Sequence, residues 1–163
     1  EGNPASQVLT NNRMWMTDVL VNDDYTFSLT GLHLKAGGGD RNQGWRMGQI
    51  NLLREHFESL TANDADKNML VLGDLNTTPG SKEFKALQGN SAPLFVDPLA
   101  GSNAYSHPSD SAYRRIDHIL PNREMADELI ENSTKVVHPL DNEEMIRISD
   151  HLPLEARFVV GDK

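Results

Sequence analysis

The chain has 163 residues, 24 of them acidic and 15 basic, so its formal net charge is −9 at pH 7. This balance argues against tight binding to nucleic acid through a general basic surface, so a polyanionic substrate would need a local basic patch or a bound cation. The absence of cysteine excludes disulfides and thiolate metal sites. The length suits one domain, and no apolar run is long enough to cross a membrane.

The N-terminal part predicts a tail followed by a hairpin. Residues 1–12 are polar and are interpreted as a tail or linker, which leaves residues 13–163 for a domain. Two strand-like runs, 14–21 and 26–34, flank the turn signal Asn22-Asp23-Asp24. In the second run Phe27, Leu29, Gly31 and His33 share one face.

A glycine-rich loop and a helix come next. Residues 35–44 contain three consecutive glycines but lack the spacing of a nucleotide-binding loop. A helix over 45–60 is predicted from the apolar stripe of Ile50, Leu53, Phe57 and Leu60. Arg54 and Glu58 lie four residues apart and are expected to pair on its outer face.

Four apolar residues in a row over 69–72 predict a strand buried on both faces, which ends at Gly73. Asp74 and Asn76 follow, and side chains two positions apart share a face in extended backbone. They would then form part of a site on a rigid strand end. Because Asp and Asn also favour turns, a simple turn cap is an equal alternative from this segment alone.

The remainder alternates short elements and loops. Thr78 is expected to cap a helix over 82–88, which Gly89 ends. Residues 91–114 form a long loop, and loops of that length are usually functional or mobile. Strands are predicted over 116–120, 135–138 and 154–160, with a helical turn over 125–130. Strands with inserted helices indicate a mixed α/β or α+β layered domain.

Reactive side chains follow the strand ends. They are His33, Asp74, Asn76, Asp117, Asp150 and His151. Most of them have an ordinary structural explanation when taken singly, but Asp117 lies in an apolar strand, where a carboxylate needs a partner. His151 is the predicted partner, because a carboxylate on one imidazole nitrogen fixes the tautomer and raises basicity. Asp150, which would point elsewhere, is a candidate metal ligand.

Four short motifs carry a resemblance over residues 13–160. They are His33-Leu34-Lys35, Gly73-Asp74-Leu75-Asn76, Arg115-Ile116-Asp117-His118-Ile119-Leu120 and Ser149-Asp150-His151-Leu152-Pro153. Their order and strand-end context resemble the endonuclease/exonuclease/phosphatase superfamily, which includes DNase I, abasic-site endonucleases, neutral sphingomyelinases and inositol polyphosphate 5-phosphatases. Arg46 and Gln49 match a pair often found between the first two motifs. The resemblance implies an α+β fold, a DNase I-like layered β-sandwich flanked by helices.

The resemblance also implies a divalent-metal-dependent phosphoesterase that uses Mg²⁺, or else Mn²⁺ or Ca²⁺. His151 resembles the general acid/base, and Asp117 the carboxylate that orients it. Asp74 resembles the group that positions or deprotonates water and, with Asp150, a metal ligand. His33 and Asn76 resemble the groups that hold the phosphoryl oxygens. The Lys35-containing loop and Arg46 favour a nuclease or phosphodiesterase of secreted or periplasmic bacterial type.

The family fold normally begins with a half that carries an Asn and a metal-binding Glu, neither of which is identifiable before residue 13. The chain is therefore expected to be the C-terminal half of the domain. Its inner face, including Leu154, Ala156, Phe158 and Val160, would be covered by the missing N-terminal half or by a second copy. A phosphomonoesterase, a phospholipid-headgroup esterase, and a catalytically incompetent half-domain that only binds or assembles are the alternatives.

Overall fold

The computed structural model describes residues 13–89 and 93–160. The predicted tail over residues 1–12 lies outside these ranges. The strands within them are β1 Met14–Asn22, β2 Tyr25–His33, β3 Met69–Asp74, β4 Asp117–Pro121, β5 Lys135–Val136 and β6 Leu154–Glu155. The helices within them are α1 Asp40–Asn63, α2 Lys82–Gln88, α3 Arg123–Ala126 and α4 Asn142–Ile148.

The main sheet has the strand order β1-β2-β3-β4 in the described part of the chain. β1 and β2 form the predicted antiparallel hairpin. β2 and β3 are parallel and are connected through α1, because parallel strands need a long crossover. β4 returns antiparallel to β3. β5 and β6 form a separate small ladder. The predicted fold class is thus confirmed, because the domain combines a sheet of mixed strand direction with helices.

One face of the main sheet packs against α1. The predicted stripe is confirmed, since Ile50, Leu53 and Phe57 are buried against the strands while Leu60 packs at the edge. α1 is longer than predicted and begins at Asp40 instead of residue 45. Gly39 with φ 83° lets the chain turn into the helix, and the Asp40 carboxylate favours the helix N-terminus. The core residues are Leu32, Leu34, Ile50, Leu53, Phe57, Met69, Val71, Leu75, Phe84, Leu87, Phe95 and Leu120.

The opposite face of the main sheet, which we call the open face, is only partly covered. Strand register places Trp15, Phe27, Leu29, Leu72 and Ile119 on it. Trp15 is 72% exposed, whereas the residues that face α1 on the inner strands are buried. What covers the open face stays a prediction.

The C-terminal region departs from the predicted strands. Of the run 154–160, Leu154 and Glu155 pair with the equally short β5, and Phe158 forms an isolated antiparallel bridge with Leu129. Beyond them Arg157 O accepts from Ile130 N at 2.9 Å, and Val159 N donates to Glu128 O at 2.8 Å. These contacts hold the segment against an irregular stretch, so alternating hydrophobicity did not produce a regular strand. Val160, expected on an inner face, is 37% exposed.

Two helix starts also differ from prediction. Ser81, not Thr78, caps α2 by accepting from Phe84 N at 3.1 Å. α4 was not predicted, although Asp141 caps it by accepting from Glu144 N at 2.9 Å. An Asp followed three residues later by Glu is a helix-start signal that this segment did offer. No helix in the described ranges is long and apolar enough to span a membrane.

Candidate active site

Three predicted site residues form a row across the end of the main sheet. His33 is the register partner of Asp74 in the parallel β2–β3 pair, and Asp74 is the partner of Asp117 in the β3–β4 pair. Directly paired residues project from the same face of a sheet. The row therefore lies at one end of the open face, where β2 and β3 finish and β4 begins.

The fourth member of the group, His151, reaches the row from the segment before β6. Its Nδ1 lies 2.8 Å from Asp117 Oδ2, so the predicted contact between these two residues is confirmed. Ser106 donates its Oγ hydrogen to the same Asp117 oxygen at 2.7 Å. The Asp117 carboxylate accepts both hydrogen bonds, so His151 donates through Nδ1. The other ring nitrogen, Nε2, faces away from Asp117. Ser106 was not predicted, because a serine within a long loop carries no distinguishing sequence signal.

Asp74 is a half-buried carboxylate in the middle of the row, with a side chain that is 18% exposed. Burial raises the pKa of Asp74, as does the charge of Asp117, while the Asn76 N–H and the nearby histidines act in the opposite direction. His33 Nε2 lies 3.6 Å from Asp74 Oδ2. A carboxylate with a raised pKa is a stronger base, which suits proton abstraction.

Asn76 is bound to Asp74 in a tight local arrangement. Its φ is 49°, and it donates its N–H to Asp74 Oδ1 at 2.8 Å and its Nδ2 to Asp74 Oδ2 at 2.9 Å. Nδ2 also donates to Leu34 O at 3.2 Å. Both amide hydrogens are thus engaged within the protein. This geometry favours a role for Asn76 in fixing Asp74, whereas its predicted contact with a phosphoryl oxygen stays a prediction.

Asp150 joins the group together with a histidine that was not predicted. Asp150 Oδ1 lies 3.9 Å from His151 Nε2, and Asp150 Oδ2 lies 3.5 Å from His107 Nε2. The prediction that Asp150 points away from His151 is therefore wrong, since its carboxylate lies beside the imidazole. The rings of His107 and His151 meet edge to face, with centroids 4.8 Å apart. His107 lies in the long loop, where a lone histidine gave no sequence signal.

The fit to a metal ion is partial. His107, Asp150 and His151 offer ligand atoms within 4.8 Å of one another. Mg²⁺ prefers oxygen ligands and is often held by one or two carboxylates and water. The exposed Asp150 carboxylate meets that requirement. Asp74 does not belong to this cluster in the described ranges, so its predicted role as a second ligand of the same ion stays a prediction.

Arg46 and Gln49 hold the loop that follows β2. Arg46 donates to Lys35 O at 2.9 Å and to Gly37 O at 2.7 Å, and its Nη2 pairs with Glu83 at 3.1 Å. Gln49 Oε1 accepts from Lys35 N at 3.0 Å. Both side chains are buried. Arg46 therefore fixes the backbone beside the row, and the nuclease type that its resemblance favours stays a prediction.

His118, next to Asp117 in the sequence, points to the opposite side of the sheet and is buried. Its Nε2 lies 3.0 Å from Thr77 O, and its ring packs on Phe84. Burial lowers the pKa of His118 to about 4, as does the charge of Arg115, despite the opposing hydrogen bond to Thr77. A neutral imidazole that donates Nε2–H to Thr77 accounts for this contact and anchors the turn after Asn76.

This burial predicts a loss of stability in acid. The folded pKa of about 4 lies below the ordinary value of 6.5, so the unfolded chain takes up the proton first. The contribution of His118 to the free energy of unfolding should be complete above pH 6.5 and should fall by roughly 3 kcal/mol towards pH 4. Urea unfolding across this range measures the slope. His118→Phe should flatten it, whereas His56→Phe, at an exposed position on α1, should not; an unchanged slope in His118→Phe would contradict the assignment.

An apolar cavity of about 540 Å³ adjoins the site. Asp117 and His151 lie among its lining residues, and Leu72 and Ile119 of the open face contribute as well. The remaining lining residues are Gly73, His118, Pro139, Leu140, Met145, Ile148, Ser149, Leu152, Pro153 and Leu154. A group with apolar substituents could therefore approach His151 from this side.

Comparisons with known proteins give one consistent answer about the fold. The catalytic domain of Xenopus laevis APE2 aligns over 89% of this chain and 54% of its own, with 21% identity and a TM-score of 0.58. Staphylococcus aureus beta toxin with bound magnesium ions aligns over 88% and 57%, with 17% identity and a TM-score of 0.58. Bacteroides thetaiotaomicron mannosyl-6-phosphatase aligns over 83% and 52%, with 16% identity and a TM-score of 0.57. The chain spans about half the length of these structures.

Comparisons of the sequence give a match to a protein family. No curated protein matches the chain. The sequence model of the Endonuclease/Exonuclease/phosphatase family matches residues 6–151, which include every predicted site residue from His33 to His151. That match, together with the common DNase I-like fold of the three structures, assigns the family. The chain belongs to the endonuclease/exonuclease/phosphatase family.

Proposed function

We propose that the chain is part of a divalent-metal-dependent phosphodiesterase that acts as a nuclease. The observation that carries the proposal is the Asp117–His151 hydrogen bond of 2.8 Å, located at the end of a strand-registered row that contains Asp74. An imidazole oriented by a carboxylate is a suitable general acid, and the half-buried carboxylate of Asp74 nearby is a suitable base. Membership of a family of phosphate-ester hydrolases supports the reaction class.

The reaction is hydrolysis of one P–O ester bond. Asp74 accepts a proton from water as the water oxygen bonds to phosphorus, and the bond to the leaving oxygen breaks. His151 donates its Nε2 proton to that leaving oxygen, while Asp117 and Ser106 keep the ring in place. We assign His33, which is exposed at the end of the row, as the donor to a phosphoryl oxygen. Mg²⁺ held by Asp150 would supply charge neutralisation at the phosphoryl group.

A nucleic-acid substrate is favoured by the surface next to His107. Arg114 lies 5.5 Å from the centre of the Tyr113 ring. Tyr113 and Tyr105 are 64% and 39% exposed, and both line a cleft of about 260 Å³ together with Arg114. Exposed aromatic rings beside a guanidinium suit stacked bases and phosphates. Arg114 supplies one exposed positive charge beside these rings, which could contact a phosphate of the substrate.

A phospholipid-headgroup esterase is the second candidate. The apolar cavity of about 540 Å³ that reaches His151 favours it, because a phosphodiester with an apolar substituent could enter there. A phosphomonoesterase has no comparable support in the described site. We propose a secreted or periplasmic location from the resemblance of the motifs to secreted nuclease-type members of the family.

The open face suggests that the active form contains a further layer. On this face Trp15 is exposed while Leu29 and Leu72 are half-buried, and apolar surface that is left exposed to water can mark an interaction site. We propose that a second sheet, from a preceding N-terminal half or from a second copy of the chain, covers it. An assembly of this kind would supply further metal ligands next to Asp150, so Mg²⁺ affinity should be weak without it.

The test is Mg²⁺-dependent hydrolysis by the chain as given, with its solution mass measured by light scattering in the same sample. We expect EDTA-sensitive cleavage of a single-stranded oligonucleotide and of bis-p-nitrophenyl phosphate, at a rate above that on sphingomyelin vesicles or mannose 6-phosphate. Preference for sphingomyelin would select the second candidate. A folded, inactive chain whose inactivity persists at saturating Mg²⁺ would leave the incompetent half-domain as the better interpretation.

A further inference from the structure

His107 takes no part in the proposed chemistry, yet it is enclosed by charged residues and by His151. Its side chain is 17% exposed. Arg114 approaches its Nδ1 with Nε at 3.3 Å and Nη2 at 3.2 Å. On the other side of the ring, Nε2 lies 3.5 Å from Asp150 Oδ2. The ring itself supports that of His151, edge to face.

The Arg114 contact determines the tautomer of His107. A guanidinium has donors and no acceptor, so Nδ1 must present a lone pair to it. A neutral imidazole then carries its proton on Nε2, the atom that faces the Asp150 carboxylate. An N–H cannot coordinate a metal ion, so His107 in this state cannot join Asp150 and His151 as a third ligand.

The backbone around His107 binds the same segment that His107 contacts. Ser109 N donates to Asp150 O at 2.8 Å, and Ser109 Oγ donates to Ser149 O at 2.6 Å. Leu152 N donates to Ser106 O at 2.7 Å. The loop over 106–114 therefore serves as the support on which the Asp150–His151 segment rests.

We propose that His107 is a positioning residue of the phosphoesterase site. Held by Arg114 as the Nε2–H tautomer, it donates towards Asp150 and supports the His151 ring. The inference rests on the proposed function, because it assigns His107 a role in placing the groups of that reaction. It implies that a proton on His107 Nε2, and not a transition-metal ion, lies between His107 and Asp150 in the cluster of His107, Asp150 and His151.

NMR of protein labelled with ¹⁵N-histidine tests the tautomer without any need for activity. Two-bond nitrogen–proton correlations should show His107 protonated at Nε2, and Arg114→Gln should weaken that preference. Addition of Zn²⁺ at one equivalent should leave the His107 signals in place. Protonation at Nδ1, or stoichiometric Zn²⁺ binding through His107 Nε2, would overturn the proposal in favour of a metal site.

Kinetics of the chain in its active form test the positioning role. His107→Ala should lower kcat about tenfold with little change in KM, as is typical when a supporting contact to an active-site group is removed. His107→Gln keeps an N–H donor and should recover most of the loss. His56→Ala, an exposed histidine on α1, is the matched control and should retain full activity. Equal loss in the alanine and glutamine variants, with unchanged His151 signals, would refute the role; inactivity of the unaltered chain would instead contradict the proposed function and leave the tautomer result standing.

Discussion

Replacing His151 with alanine is expected to lower kcat for phosphodiester hydrolysis about 1,000-fold, the middle of the range for a general acid–base group. The side chain is the sole donor to the leaving oxygen in the proposed reaction, and its Nδ1 is fixed by Asp117 at 2.8 Å. KM should change far less than kcat, because the loss lies in the transition state. Steady-state rates with an oligonucleotide substrate measure the effect.

The Asp117 variant provides the internal check on this reaction. Asp117→Asn preserves the shape of the side chain but replaces an acceptor oxygen by an amide, which can place a donor opposite His151 Nδ1 or Ser106 Oγ. A loss comparable to that of His151→Ala, with no further loss in the double variant, is expected for groups that act as a unit. His56→Ala should be indistinguishable from the unaltered chain. A His151→Ala variant within threefold of full activity would exclude the proposed acid.

Replacing Gly73 with alanine is expected to destabilise the fold by about 3–5 kcal/mol, the sum of backbone strain and steric overlap. Gly73 has φ 125°, a conformation that residues with a side chain rarely adopt. A Cβ built there lies 2.1 Å from Leu32 O, a backbone atom of the neighbouring strand that cannot move without breaking the sheet. Urea unfolding followed by circular dichroism measures the change.

Gly44 supplies a matched glycine in the same chain. It lies within α1 at an exposed position, and a Cβ built there meets nothing within 4 Å. Gly44→Ala should therefore raise the free energy of unfolding by about 0.5–1 kcal/mol. Opposite signs at the two glycines are the expected result, and a Gly73→Ala protein as stable as the unaltered chain would show that the β2–β3 contact has been misplaced.

The sequence was most informative where regular elements carry the site. A buried apolar run ending in Gly73, Asp74 and Asn76 is recognisable because its periodicity and its terminal polar residues are both local. The pairing of Asp117 with His151 followed from the need of a strand carboxylate for a partner. The row of His33, Asp74 and Asp117 could not be predicted, because it depends on the register of β2, β3 and β4. That register is not encoded in any single segment.

The sequence was least informative in the loops. His107 and Ser106 acquire their roles from a backbone path that carries no periodic pattern, so nothing local distinguishes them from other polar loop residues. Arg46 matched a pair found between two motifs, but its position in the sequence did not reveal that it is buried against Glu83 and holds a loop. The strand expected over 154–160 is interrupted because, among the described residues, its first two positions pair with the short β5 and Phe158 forms only an isolated bridge with Leu129.

The row of His33, Asp74 and Asp117 has a consequence for how misfolded molecules behave. Each member is placed by a different strand, and a shift of either pairing by one residue would turn one of the proposed catalytic side chains toward the face covered by α1. A compact but misaligned sheet would thus retain its secondary structure and lose its chemistry entirely. The fraction of active molecules in a refolded sample should therefore equal the fraction of chains with correctly aligned strands. Circular dichroism does not distinguish these chains from chains with a shifted register.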